Sequence, residues 1–168
     1  MERSKLADLS EIVSSIAIVI TLIYLIIEIN QNTDAIRTQT AQSILQAGQT
    51  ELALMVENPE IPLSIPGSEA LTAEQNVVLD AYFASHMRNR EFAWLRLRDG
   101  TIEEGNWESE LAVMHVWFDS YRFRTWWKKL GRYYMTEDFA IFVDQLIEVA
   151  PPATDELWSS ALEWTVED

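Results

Sequence analysis

The sequence predicts an all-α protein, an N-terminal transmembrane helix continuing into an up-and-down helical bundle. Three observations carry this. The run Ile12 to Ile27, IVSSIAIVITLIYLII, contains no charge, Gly or Pro. Beyond it, apolar residues recur at helical spacing in stretches bounded by capping residues, Gly and Pro. The period-two alternation and hairpin turn pairs that mark strands are missing from the sequence.

With Leu9 before it and Ile29 after it, the apolar segment has about 20 residues, the length a helix needs to cross a hydrocarbon core of about 30 Å. A cleaved signal peptide would want a basic leading segment, a shorter run and small residues at a cleavage site. Here the leading residues are mixed (Glu2, Arg3, Lys5, Asp8), and the run ends in Glu28-Ile29-Asn30-Gln31. A buried core helix is the other alternative, and the density of β-branched residues argues against it. One face is not lipid-like. Ser10, Ser14, Ala17, Thr21, Tyr24, Glu28 and Gln31 recur at alternating spacings of four and three, a heptad seam. Small and hydroxylated side chains let helices approach closely and hydrogen-bond across the contact. The competing account is that Ser and Thr bond back to carbonyls of their own helix. Arg3 and Lys5 precede the span and Arg37 follows it closely, too small a bias to set the side of the soluble domain.

Helical character continues from Thr33 to about Glu57, with Ala35, Ile36, Ile44, Leu45, Leu52 and Met55 as apolar positions. Asn58-Pro59 ends it, since the residue before proline resists the helical region. Residues 1–30 are thus expected to form the anchor and 31–168 an acidic bundle domain, with a Pro-rich loop at 58–71. Thr72 and Gln75 form a capping box for a second helix that stops at Gly100, its face marked by Leu79, Phe83, Met87, Trp94 and Leu97. Asn106 caps an expected third helix ending near Gly131, with Leu111, Met114, Phe118, Tyr121 and Trp126 inward. Thr136 starts a fourth, closed by Pro151-Pro152. Thr154 starts a short fifth containing Trp158, Leu162 and Trp164.

Composition narrows the functional classes. The 168 residues suffice for one ordinary domain, with roughly 110 to 140 left for a core after the anchor. Twelve basic against 27 acidic residues give a net charge of -15, a field that repels nucleic-acid phosphates. The chain has no cysteine, which excludes disulfides, thiolate metal sites and cysteine nucleophiles. A Gly-rich phosphate loop, a Gly-x-Ser-x-Gly elbow and a His-Glu-x-x-His motif are all missing.

Short motifs run along the chain: Tyr24 leading into Gln31-Asn32-Thr33, then Asn58-Pro59-Glu60, Asp99-Gly100, Trp107, Trp126-Trp127, and Phe139 with Phe142. Together they resemble a group of uncharacterised bacterial single-span membrane proteins. The resemblance implies an anchor plus a helical domain, in a bacterial inner membrane, and brings no catalytic residues. Relatives of this kind tend to carry Arg after the span, where this chain has Glu28 and Asp34, so their orientation does not carry over.

Two constellations are candidates for chemistry or contact. His86 and His115 are the only histidines. An antiparallel hairpin of the second and third helices would set His86 near Asp119 and His115 near Glu91. A two-histidine, two-carboxylate metal site would then be possible, although the Glu-x-x-His spacing of bundle metal sites is absent. A hydrogen-bonded structural histidine is the expected reading, and neither metal nor cofactor is assigned. Arg88, Arg90, Arg96 and Arg98, with Arg122, Arg124, Lys128, Lys129 and Arg132, hold most of the positive charge and interleave with aromatics. They either pair internally with the excess carboxylates or, as Arg122, Arg124, Trp126, Trp127, Lys128 and Lys129, form a docking patch. Glu103-Glu104 and Glu108-Glu110 read as a solvated acidic turn.

The expected function is non-enzymatic: an accessory or scaffold subunit of a larger membrane complex (respiratory, photosynthetic or transport). Its partners would be membrane lipid and other membrane-protein subunits or copies of itself. The alternatives are a self-assembled homo-oligomer, with a pore lined by Thr21, Tyr24 and Glu28, and a ligand- or metal-sensing bundle.

Overall fold

The structure, a computed structural model, describes residues 2–163, with side chains at Asp8 and from 10 to 160. The side chains of Arg3, Lys5, Leu9 and Leu162, and Trp164 altogether, lie outside the described residues. All regular elements among the described residues are helical.

Helix α1 runs Glu2–Glu57 without a break, as the stretch poor in Pro and Gly predicts. The Asn58 N–H still reaches Leu54 O at 3.0 Å, and Pro59 has no N–H to continue the ladder. Two compact units divide inside this helix, between Gln39 and Thr40. In the first unit every described side chain from Ser10 to Gln39 is exposed. Among the described residues α1 is the helix long and apolar enough to cross a membrane.

The second unit is an all-helical domain. The last turns of α1 bury one side, with Ile44, Gly48, Glu51 and Met55 at spacings of four, three and four. A single turn, α2 (Glu60–Leu63), interrupts the Pro-rich loop. Helix α3 spans Ala73–Arg98. Its capping box is formed as expected, with Gln75 N–H on Thr72 Oγ1 at 3.2 Å and Thr72 N–H on Gln75 Oε1 at 2.9 Å. Gly100 follows at φ +73°, the left-handed stop that glycine adopts without a Cβ penalty.

The expected third helix is in fact two. Helix α4 covers Glu104–Phe118, starting before Asn106, and α5 covers Tyr121–Trp126. The break at Asp119-Ser120 is stabilised by capping from distant segments. Ser120 Oγ accepts the Phe123 N–H at 3.2 Å and donates to Ile65 O at 3.2 Å. The Asp119 carboxylate accepts the Thr154 hydroxyl at 2.8 Å and the Leu157 N–H at 2.9 Å, which caps the last helix, α8 (Glu156–Glu163). Asp155, at φ +60°, returns the favour by accepting Tyr121 N–H and Gly67 N–H, both at 3.1 Å. The starts of α5 and α8 thus each find a carboxylate on another segment.

Helix α5 passes through a π-helical turn, Trp127–Gly131, into the short α6 (Arg132–Tyr134). A Cβ on Gly131 would lie 2.4 Å from the nearest Trp126 ring atom, well inside contact distance, so the packing of this widened turn favours glycine. Thr136 precedes α7 (Glu137–Val149) as expected, but its hydroxyl does not cap the helix and donates to Glu91 at 2.7 Å. The core is aromatic. Phe83, Trp117, Phe118, Phe123 and Phe139 are almost wholly buried, with Met87, Met114 and Val143 between them. Tyr121, expected inward, is exposed because the break at Ser120 resets the register of α5.

Replacing Ser120 with Ala removes a buried cap and strands the Phe123 N–H. A loss of about 1 to 2 kcal/mol is expected, read as a lower midpoint in urea unfolding at an unchanged slope.

Candidate functional site

The exposed seam of the first unit consists of polar groups that largely answer one another. Thr21 Oγ1 donates to Ala17 O at 2.8 Å, and the Tyr24 hydroxyl donates to Glu28 Oε1 at 2.5 Å. Ser15 and Thr33 likewise bond back to Glu11 O and Ile29 O. What Ser10, Ser14 and Ala17 offer a neighbouring helix is chiefly small size. Gln31 and Glu28 complete the exposed row.

The docking patch expected around Trp126 is divided. Trp126 and Trp127 are core residues, 8% and 3% exposed. Their indole N–H groups are satisfied inside the protein, on Asp80 Oδ1 at 2.6 Å and Asp144 Oδ1 at 2.8 Å. Arg122 donates to the carbonyls of Gly67 and Glu69, and Arg124 to those of Phe118 and Pro151. Lys128 and Lys129 are the patch residues left exposed. The other arginines mostly pair with carboxylates: Arg88 with Glu91 at 2.7 Å, Arg98 with Asp138 at 3.1 Å, Arg132 with Asp144 at 2.7 Å. Arg98 also lies over Trp94, 4.6 Å from the ring centroid.

The histidines are not brought together by a shared carboxylate pair. His115 packs edge-on to Phe118. Asp119 is engaged at the start of α8 and Glu91 at the start of α7, so neither faces a histidine as the hairpin register had suggested. No group of three or more metal-ligating side chains occurs among the described residues.

His86 instead belongs to a buried ionic cluster that ties α1, α3 and α4. On α3, Tyr82, His86 and Arg90 follow one another at spacings of four, so all three point to one side. Opposite them α1 places Glu51. Its carboxylate receives Arg90 Nη1 at 2.6 Å and Asn89 Nδ2 at 2.5 Å, and lies 2.8 Å from His86 Nδ1. Arg90 turns its Nε toward Glu110 of α4 at 3.1 Å. Glu51, His86 and Arg90 are each 5% exposed. The His86 ring packs against Trp117, with centroids 4.3 Å apart, and against Tyr82.

Burial acts on every member. It pushes the Glu51 carboxyl up, but the contacts with His86 and Arg90 outweigh it and hold the group below its usual range. Burial drives the His86 imidazole down to about 4, with the Arg90 charge acting the same way against the pull of Glu51. The Tyr82 phenol is pushed up by burial and by the Glu51 charge. Glu110, expected in a solvated turn, is half-buried, and burial raises its carboxyl. The ground state is therefore an ionised Glu51–Arg90 pair beside a neutral imidazole and a neutral phenol.

Several polar atoms here have no hydrogen-bond partner among the described residues: the Tyr82 hydroxyl, both ring nitrogens of His86 and the Arg90 Nε. Of these atoms, His86 Nδ1 already faces Glu51 at 2.8 Å and Arg90 Nε already faces Glu110 at 3.1 Å, off hydrogen-bond alignment. The residues bearing these atoms line a cavity of about 410 Å³ whose remaining wall is largely Ile44, Leu52, Met55, Val113, Trp117 and Trp158. A second cavity, of about 480 Å³, lies between Asp80, Arg122, Trp126 and Lys129. In that one Asp80 and Trp126 already satisfy each other.

Sequence reasoning named His86 but missed Glu51, Tyr82, Arg90 and Glu110 as its company. The available signal was Glu51 itself, a carboxylate standing on the apolar side of α1 between Ile44 and Met55. Comparison with known protein families, with curated proteins and with solved structures finds no match.

Two outcomes follow. Glu51→Ala leaves Arg90 buried with one imperfectly aligned carboxylate, and a loss of about 3 kcal/mol or more is expected in thermal unfolding. For His86, the unfolded chain takes up a proton near pH 6.5 and the folded one only near 4, so stability is lost as pH falls through that window. A decrease of about 2 kcal/mol between pH 7 and pH 5 is expected from this group, and His86→Gln should remove that part of the slope.

Proposed function

We propose that this chain is a single-span protein of a bacterial inner membrane, acting without catalysis as an accessory or scaffold subunit of a larger membrane complex. Membership in the bacterial single-span group that its motifs resemble is part of the same proposal. The observation that supports it most is the surface of α1. Ile12, Val13, Ile16, Ile18, Val19, Ile20, Leu22 and Ile23 are each more than half exposed, all around the helix. An apolar surface of this extent is stable in lipid or against another protein, and is a liability in water.

Lipid covers the aliphatic faces of such a helix, and the seam is where a second helix gains by close approach. Because Thr21 and Tyr24 are already hydrogen-bonded within α1, the contact is one of packing more than of shared hydrogen bonds. The bundle then contributes its acidic, helical surface to the partner.

A self-assembled homo-oligomer is the second reading, favoured by Glu28. A carboxylate within reach of the bilayer gains from being gathered with its copies around water, with Thr21 and Tyr24 beside it. Conductance above background in reconstituted vesicles would support that version.

Native purification from source membranes in mild detergent, with mass spectrometry of the co-purifying chains, separates the two. Stoichiometric foreign subunits are expected, and an assembly of this chain alone moves the weight to self-association. The double variant Ser14→Leu, Thr21→Leu is expected to lose most of the co-purifying material. Unchanged recovery would remove the seam from the interface.

A further inference from the structure

We infer that the cavity beside Glu51 is a binding site for an uncharged, largely apolar small molecule carrying one hydroxyl or carbonyl group. This goes beyond the accessory role and does not depend on it. The volume, about 410 Å³, is of the size that small-molecule sites have. Most of the wall is aliphatic or aromatic, with the Trp117 and Trp158 rings 4.6 Å apart. Into that wall the fold sets one polar patch, where the Tyr82 hydroxyl and His86 Nε2 are buried without hydrogen-bond partners among the described residues, while His86 Nδ1 faces Glu51. Proteins seldom leave such groups unanswered, because each forfeits its bonds to water on folding. A guest with one polar atom answers them.

The charges select the kind of guest. Arg90 is shared between two carboxylates, Glu51 and Glu110. A carboxylate or phosphate would add a third anion to one cation and be repelled. An ammonium group would have to take Glu110 from Arg90. Tyr82 and His86, both neutral here, suit a hydroxyl or carbonyl, which they bond without any change of charge. Gly48 leaves room on the α1 side of the cavity, since a Cβ there would meet nothing within 4 Å.

The test uses the full chain in lipid nanodiscs and three probes sharing one ring system: 1-naphthol, naphthalene and 1-naphthoate. Equilibrium dialysis measures binding, with protein-free nanodiscs as the blank. Saturable binding of 1-naphthol at one site per chain is expected. Naphthalene should bind about threefold or more weakly, for want of the hydrogen bond. Naphthoate should bind about tenfold or more weakly than naphthol, for its charge. Gly48→Phe fills open space and replaces a helix glycine with a better helix former, so it should fold and lose naphthol binding by about tenfold or more. Tyr82→Phe should weaken naphthol toward the level of naphthalene and leave naphthalene unchanged, and it reads the same site if Gly48→Phe misfolds; naphthol binding untouched by Tyr82→Phe would count against the site. No saturable binding of naphthol, equal affinity for all three probes, preference for naphthoate, or full binding by folded Gly48→Phe would each overturn the proposal.

Discussion

A carboxylate taken out of water must find its counter-charges inside the protein, and Glu51 imposes that requirement on the whole helical domain. It sits on the last buried turns of α1, so its partners have to come from other helices. Asn89 and Arg90 of α3 supply the hydrogen bonds, and Arg90 in turn faces Glu110 of α4. Three helices are thereby fixed in register by one group. Burial in the same arrangement keeps His86 neutral and leaves the Tyr82 hydroxyl without a hydrogen-bond partner among the described residues. The stability of the domain and the polar patch of its cavity have one origin.

Aromatic side chains solve a related problem at the other packing centre. Two adjacent tryptophans, Trp126 and Trp127, can both be buried because two separate carboxylates, Asp80 and Asp144, accept their N–H groups. The π-helical turn that follows, with glycine at Gly131 under the Trp126 ring, accommodates the bulk. A pattern of Trp and Arg on the sequence resembles an interface hot spot. Here Trp126 and Trp127 are interior, and the arginines reach carbonyls and carboxylates of their own chain.

Much of the element order was legible in the residues. Thr72 with Gln75, Gly100, Asn58-Pro59 and Pro151-Pro152 mark helix ends through steric and hydrogen-bonding rules that act over a few residues. The third helix was misread for the opposite reason. Nothing local forbids a helix through Phe118, Asp119 and Ser120. The break is stable because Asp119 meets Thr154 and Leu157, Ser120 meets Ile65, and Asp155 meets Tyr121. Those partners are between 34 and 55 residues away in the chain.

The sequence by itself determined the long apolar helix α1, the all-helical class and most helix boundaries, because propensity, periodicity and capping are properties of neighbouring residues. Only the tertiary structure decided which helix sides meet. It placed Glu51 against His86 and Arg90, tied Asp119 to the start of α8, and turned Trp126 and Trp127 inward. Such pairings depend on the relative rotation and register of whole helices, and a shift of one residue turns a helix face by about 100°. A candidate site made by residues 51, 82, 86, 90 and 110 exists only once that register is set.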